Sequence, residues 1–150
     1  MTQEESLVQE LTKKFSFIEG NIRIPRQKRI FLEVRIENFL DVFEYIIKRL
    51  EFSHLCTITG LDELDKLSFV YHLAHRSGGL INLKTSVLKD NPVLKSIITY
   101  FPSAEIYERE IVDLLGAKVE GLPEGNKYPL TDDWPKGEYP LRKDWKPKTE

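Results

Sequence analysis

The chain has 150 residues, 41% of them apolar and 31% charged, which is one domain's worth of ordinary core-forming sequence and excludes disorder as its main state. Lys and Arg number 22 against 24 Asp and Glu, a net charge of -2, so a general nucleic-acid binder is excluded for want of a basic excess. One cysteine, Cys56, excludes an internal disulfide and any multi-cysteine metal or iron–sulfur site.

The start, Met1 to Gln9, is acidic and polar and has no leader pattern. Apolar runs stay far below the roughly 20 residues needed to cross a bilayer, so attachment to a membrane is expected only through a partner. Residues 4–15 are expected to form a helix. Leu7, Val8, Leu11 and Phe15 recur at helical spacing, with Glu4 and Glu5 early and Lys13 and Lys14 late. Asn21 to Pro25 and Arg29 to Ile36 are predicted strands, joined by a turn at Pro25-Arg26-Gln27-Lys28. Ile30, Leu32, Val34 and Ile36 alternate there with Phe31, Glu33 and Arg35.

Asn38 is the expected cap of a helix over 39–50. Phe39, Val42, Phe43, Ile46, Ile47 and Leu50 mark its buried side, which should lie on the sheet. Strands are predicted near 54–61, 67–75 and 80–88. Their turns fall at Asp62–Lys66 and Ser77-Gly78-Gly79, which makes an antiparallel meander. Asn91-Pro92 reads as an N-cap and first helical proline, with Val93, Leu94, Ile97 and Ile98 on the buried side. Ser103 is expected to cap a second helix, 104–115, ended by Gly116. The fold class is therefore α+β: two layers, helices packed on a mixed, mostly antiparallel sheet of about five strands.

Composition changes at 117. Five of the eight prolines lie beyond it (Pro123, Pro129, Pro135, Pro140 and Pro147), with both tryptophans, Trp134 and Trp145. Seven basic and seven acidic residues leave the segment neutral. The expected division is an α+β domain over 1–116 and an extended Pro-rich docking segment over 117–150, ordered fully only against a partner. Deleting 131–150 is expected to abolish that docking and leave thermal unfolding nearly unchanged.

The polar residues offer little chemistry. His72 and His75 are three apart on a predicted strand, so they face opposite sides and cannot chelate one metal. His54 and Cys56 read as ordinary strand residues. No metal, dinucleotide or phosphate-loop motif occurs. On helix 104–115, Glu105–Arg109 and Arg109–Asp113 are i,i+4 pairs, while Ala104, Tyr107, Ile111, Leu114 and Leu115 form the apolar side. Glu105, Glu108, Arg109, Glu110 and Asp113 then read as a solvated face or a protein contact, with Arg142 or Lys143 folding back near its acids. Acid/base work by Glu108, Glu110 and Asp113 is a weaker alternative, because no nucleophile or ligand set accompanies them. Tyr139-Pro140-Leu141-Arg142-Lys143-Asp144-Trp145 combines apolar anchors, a forked donor and prolines that lower the ordering cost, which suits a docking strand.

Glu108-Arg109-Glu110-Ile111-Val112-Asp113-Leu114-Leu115-Gly116 resembles the ERE-x-x-D-hydrophobic-hydrophobic-G signature of the complex I 30 kDa subunit family. That family includes the C subunit of NADH:quinone oxidoreductase and related subunits of energy-converting [NiFe] hydrogenases and formate hydrogenlyase. Asp132-Asp133-Trp134 and Tyr139 to Trp145 resemble its D-D-W and P-L-R-K-D-aromatic stretches, in the same order. The resemblance implies a non-catalytic subunit in the hydrophilic arm of a membrane-associated redox complex. It would brace the large subunit, of 49 kDa/D type or [NiFe] type, beside an iron–sulfur subunit. Clusters and any quinone or nickel site would belong to those partners. The residues implied in partner binding are Glu108, Arg109, Glu110, Asp113, Asp133, Trp134, Tyr139, Pro140, Leu141, Arg142, Lys143, Asp144 and Trp145. The implied location is the cytoplasm, peripheral on the inner face of the cell membrane. A free-standing adaptor with the same fold stays open as an alternative.

Overall fold

The structure is a computed structural model and describes residues 1–149; Glu150, the last residue of the expected docking segment, lies outside the described residues. In chain order the elements are α1 (Gln3–Lys14), a 3-10 turn (Ser16–Ile18), β1 (Ile22–Arg26), β2 (Arg29–Glu33), α2 (Ile36–Lys48), β3 (His54–Asp62), β4 (Lys66–Ala74), β5 (Leu80–Leu88), β6 (Val93–Lys95), α3 (Ala104–Leu115) and β7 (Lys118–Glu120). A five-stranded sheet runs β1-β2-β5-β4-β3. The chain forms two compact units, one of residues 1–57 with 70–86, the other of 58–69 with the chain from 87 onward.

In the first unit, α1 starts on a reciprocal cap. Thr2 accepts the Glu5 N–H, and the Glu5 carboxylate accepts the Thr2 N–H, which satisfies two otherwise orphan donors. β1 and β2 are antiparallel with an irregularity between Arg23 and Arg26. β2 then pairs parallel with β5, from Arg29 opposite Leu80 to Glu33 opposite Lys84. β3, β4 and β5 are joined by short turns, which only antiparallel neighbours permit. The expected α+β class and mostly antiparallel sheet are borne out. α2 buries Phe39, Val42, Phe43 and Ile46. Its rings meet the sheet at Tyr71, with centroids 4.7 Å from Phe39 and 6.1 Å from Phe43. Ile47 is only half-buried. α2 begins at Ile36, before Asn38, and has no side-chain cap. The Asn38 N–H instead bonds the Arg35 carbonyl.

The second unit departs from expectation at 91–98. The predicted helix is absent. Val93–Lys95 is instead a strand, paired parallel with Lys118–Glu120 in a two-stranded sheet. Val93 N–H bonds the Asn91 carbonyl, and Lys118 N–H bonds the Pro92 carbonyl. Pro92 therefore precedes a strand, where its missing N–H is tolerated. Leu94 and Ile97 are buried, as their apolarity requires. α3 lies between these two strands in the chain and ends at Gly116 as expected. Ser103 is not its side-chain cap. The Ala104 and Glu105 N–H groups bond the Phe101 and Pro102 carbonyls at 2.9 and 3.3 Å.

Candidate functional site

The two motif stretches meet at the C-terminal end of α3. That end has no basic residue of its own in its last turn. Gly116 adopts φ 76, ψ 25 and turns the chain, while Gly116 and Ala117 N–H groups bond the Val112 and Ile111 carbonyls. The Leu114 and Leu115 carbonyls find partners further along the chain. Leu141 N–H bonds the Leu114 carbonyl at 3.0 Å, and Arg142 Nε bonds the Leu115 carbonyl at 2.6 Å. A guanidinium thus sits where the helix dipole is negative. Its carbon lies 4.9 Å from the Tyr139 ring centroid. This approach needs glycine at 116, because a Cβ there would fall 2.5 Å from Tyr139 Cε2 and 2.8 Å from Arg142 Nη2. At Gly60 a Cβ would fall 2.3 Å from Leu115 Cδ1, so β3 also needs glycine where α3 packs.

A second anchor is Asp62, which the sequence places only in a turn. Its buried carboxylate accepts the Leu64 N–H at 2.9 Å, Lys89 Nζ at 2.7 Å and the Lys143 N–H at 2.7 Å. Burial alone would raise this carboxyl. The Lys89 ammonium and the main-chain donors of Lys143 and Leu64 outweigh it and hold the group down to about 2. Lys89 also reaches Asp144 Oδ1 at 3.3 Å. Its ammonium is raised, first by the hydrogen bond to Asp62.

Glu108 does not belong to a solvated acidic face. It is 1% exposed. Its Oε2 accepts the Ser96 hydroxyl at 2.6 Å and its Oε1 the Ile97 N–H at 2.7 Å. Burial pushes its carboxyl up, and the Ser96 and Ile97 donors only partly oppose this. The signal was present in the sequence: Glu108 falls in the stripe Ala104, Glu108, Ile111, Leu115, all four of which are buried. Glu110 is two positions on, about 200° round the helix, so the two carboxylates cannot act as a pair.

The remaining residues are placed as follows. Arg109 pairs with Glu105 at 2.8 Å and donates to the Pro123 carbonyl at 2.8 Å; its expected pairing with Asp113 does not form. Its guanidinium lies against Gly125, where a Cβ would come within 2.7 Å. Asp113 Oδ2 and Trp145 Nε1 are buried without a hydrogen-bond partner among the described residues. Trp134 donates Nε1–H to the Glu138 carbonyl at 2.7 Å, and its ring lies 5.8 Å from Trp145. Asp133 is exposed, and hydrogen bonds from the Thr131 side chain and its own N–H lower its carboxyl. Pro140 is half-buried and Leu141 is 55% exposed. Lys143 approaches Asp62 through its main chain, and Arg142 a helix carbonyl, so neither meets the expected acids of α3.

No group of three or more His, Cys, Asp or Glu side chains among the described residues could hold a metal ion. Among the described residues no helix is long and apolar enough to cross a membrane.

This α+β fold recurs in solved structures. It superposes on a chain of the membrane-bound sulfane sulfur reductase, an archaeal respiratory membrane complex, with a TM-score of 0.77 at 24% identity, covering 97% of this chain and 86% of that one. The trypsin-resistant fragment (1-134) of Nqo5 gives 0.68 at 24% identity, covering 81% of this chain and 98% of that one. The chain belongs to the family of the respiratory-chain NADH dehydrogenase 30 kDa subunit, whose profile matches residues 32–150. Among its relatives, the C subunit of F(420)H(2) dehydrogenase from Methanosarcina mazei is 33% identical over 145 residues, covering 93% of this chain and 90% of that one. The C subunit of NADH-quinone oxidoreductase from Moorella thermoacetica is 28% identical, with 97% of each covered. The beta subunit of the membrane-bound hydrogenase from Pyrococcus furiosus is 26% identical, covering 97% and 88%.

Proposed function

We propose that the chain is a non-catalytic hydrophilic-arm subunit of a membrane-associated redox complex, of NADH:quinone oxidoreductase or energy-converting [NiFe] hydrogenase type. It braces the large subunit that carries the active site, of 49 kDa/D type or [NiFe] type, beside an iron–sulfur neighbour. Redox groups are carried by those subunits, and the chain meets the cytoplasmic face of the membrane only through them. Family membership across 32–150 is the observation that carries this reading.

Residues 117–150 serve as the docking segment. Among the motif residues, Glu110, Asp113, Asp133, Trp134, Leu141, Asp144 and Trp145 supply the partner contacts. Arg109, Tyr139, Arg142 and Lys143 support them by fixing the segment on α3 and Asp62, Glu108 holds α3 to the chain at Ser96 and Ile97, and Pro140 stiffens the chain beside Leu141. Leu141 is the favoured anchor, because its N–H is spent on α3 while its side chain is 55% exposed.

The test is co-expression with a candidate large subunit of the 49 kDa/D or [NiFe] type, followed by affinity purification. Truncating 131–150 is no longer a clean experiment, since it would strip partners from Asp62, Leu114 and Leu115 and lower the melting temperature with the binding. Leu141→Asp leaves those main-chain bonds in place. It should abolish co-purification while Tm moves by no more than about 2 °C, as expected of an exposed position. Retained co-purification would show that docking lies elsewhere.

A further inference from the structure

The β1–β2 hairpin carries an unusual concentration of positive charge for a chain whose net charge is -2. Arg23, Arg26, Lys28 and Arg29 fall within a few residues, and Arg26 and Arg29 are direct cross-strand partners. Like charges directly opposite destabilise a strand pair. Lys28 adds to the cost, because it takes φ 59, a left-handed conformation that favours glycine or asparagine.

Carbonyls and a ring receive the side chains of Lys28, Arg29 and Arg23. Arg29 Nη1 donates to the Lys28 carbonyl at 2.9 Å and the Gly78 carbonyl at 3.4 Å, and Lys28 Nζ donates to the Ser77 carbonyl at 3.4 Å. Arg23 lies over the Phe31 ring at 4.7 Å. Glu4, the carboxylate packed at the turn, is 9% exposed and accepts the Lys28 main-chain N–H. No ion pair forms to Arg23, Arg26, Lys28 or Arg29 among the described residues. Arg26, Gln27, Lys28, Arg29 and Gly78 line an open concavity of about 520 Å³.

We propose that this hairpin is a second docking surface, one that receives an acidic, extended segment of a partner protein. Guanidinium forks match carboxylates in bidentate geometry. β1 is an edge strand of the sheet, the position beside which an extended segment of a partner can lie. The concavity is lined by Arg26, Gln27, Lys28, Arg29 and Gly78, a polar and cationic surface suited to a carboxylate-rich chain. Repulsion between Arg26 and Arg29 is then the intrinsic cost of a surface whose charge is neutralised on binding. The surface also gives the subunit a contact region on residues other than the C-terminal segment, as a brace between two partners needs.

The experiment uses the full chain and hexaglutamate peptide as the probe, followed by amide chemical shifts. Shifts should concentrate at 23–29 and 77–79, and binding should weaken about tenfold or more when salt is raised from about 0.05 to about 0.5 M. Arg26→Gln with Arg29→Gln should abolish these shifts while Tm stays level or rises. Stability gained as binding is lost is the signature of a charge pair kept for recognition. Absent or evenly scattered shifts, or binding unchanged in the double variant, would overturn the proposal. So would sedimentation of the chain with phosphatidylcholine vesicles containing phosphatidylglycerol that the same variant abolishes, which would make the patch a lipid contact.

Discussion

Gly116→Ala tests the α3 interlock, and Gly137→Ala supplies its control. Both glycines have positive φ, 76 and 78, but a Cβ at Gly137 meets nothing within 4 Å. Alanine in the left-handed region costs about 1 kcal/mol, and at 137 that should be the whole effect. At 116 the new Cβ would lie 2.5 Å from Tyr139 and 2.8 Å from Arg142, both held against the helix end. They must move, and the 2.6 Å bond from Arg142 to the Leu115 carbonyl goes with them. A charge-assisted bond of this kind contributes about 1.5–3 kcal/mol, here taken at the low end for a half-buried group. The total for Gly116→Ala is about 2.5 kcal/mol, or a fall in Tm of about 5–10 °C for a chain of this size. Urea denaturation of both variants should show lower midpoints at unchanged m-values. A Gly116→Ala variant no less stable than Gly137→Ala would refute the interlock.

Asp62 and Glu108 should shape the pH dependence in opposite senses. The Asp62 carboxyl is depressed from 3.8 to about 2, so its stabilisation is complete above about pH 4 and is lost as pH falls towards 2; Asp62→Asn should flatten that part of the acid unfolding curve. Glu108 is raised above 4.5, so its native state prefers the proton and stability falls as pH climbs through that raised value; Glu108→Gln should remove this fall, measured as urea midpoints from pH 4 upward. Phe43→Ala should cost roughly 3–5 kcal/mol, because the ring is fully buried against Tyr71 and Phe39; a loss below about 1 kcal/mol would contradict that packing.

Local periodicity carried most of the fold. The stripe Phe39, Val42, Phe43, Ile46 has one helical solution, and the 54–88 meander follows from alternation between turn residues. Its limit shows at Val93-Leu94-Lys95. A three-residue strand has too little sequence to show a period, and this one forms because Lys118–Glu120 arrives beside it after a whole helix. Asn91-Pro92 matched a helix start locally, but the tertiary pairing prevailed. The caps at Asn38 and Ser103 do not form: Asn38 lies inside α2, which starts at Ile36, and beyond Ser103 the Glu105 N–H already bonds the Pro102 carbonyl. Glu108 was misplaced because charge grouped it with Glu105 and Arg109, although its spacing grouped it with Ala104, Ile111 and Leu115. Asp62 carried no pattern at all. Its three donors come from 64, 89 and 143, and no window of sequence contains them.

The pairing of β6 with β7 has a consequence for the chain that follows. Residue 120 is fixed by its strand, and 141–143 are fixed by α3 and Asp62. The stretch from 121 to 138 is therefore a loop closed at both ends, not a free tail. Closure entropy rises only with the logarithm of length, about 0.6 kcal/mol for each doubling. Insertions near Gly137, where there is open space, would leave both clasps in register. Evolution could thus lengthen or rewrite this stretch for a new partner while the scaffold that presents it stays the same.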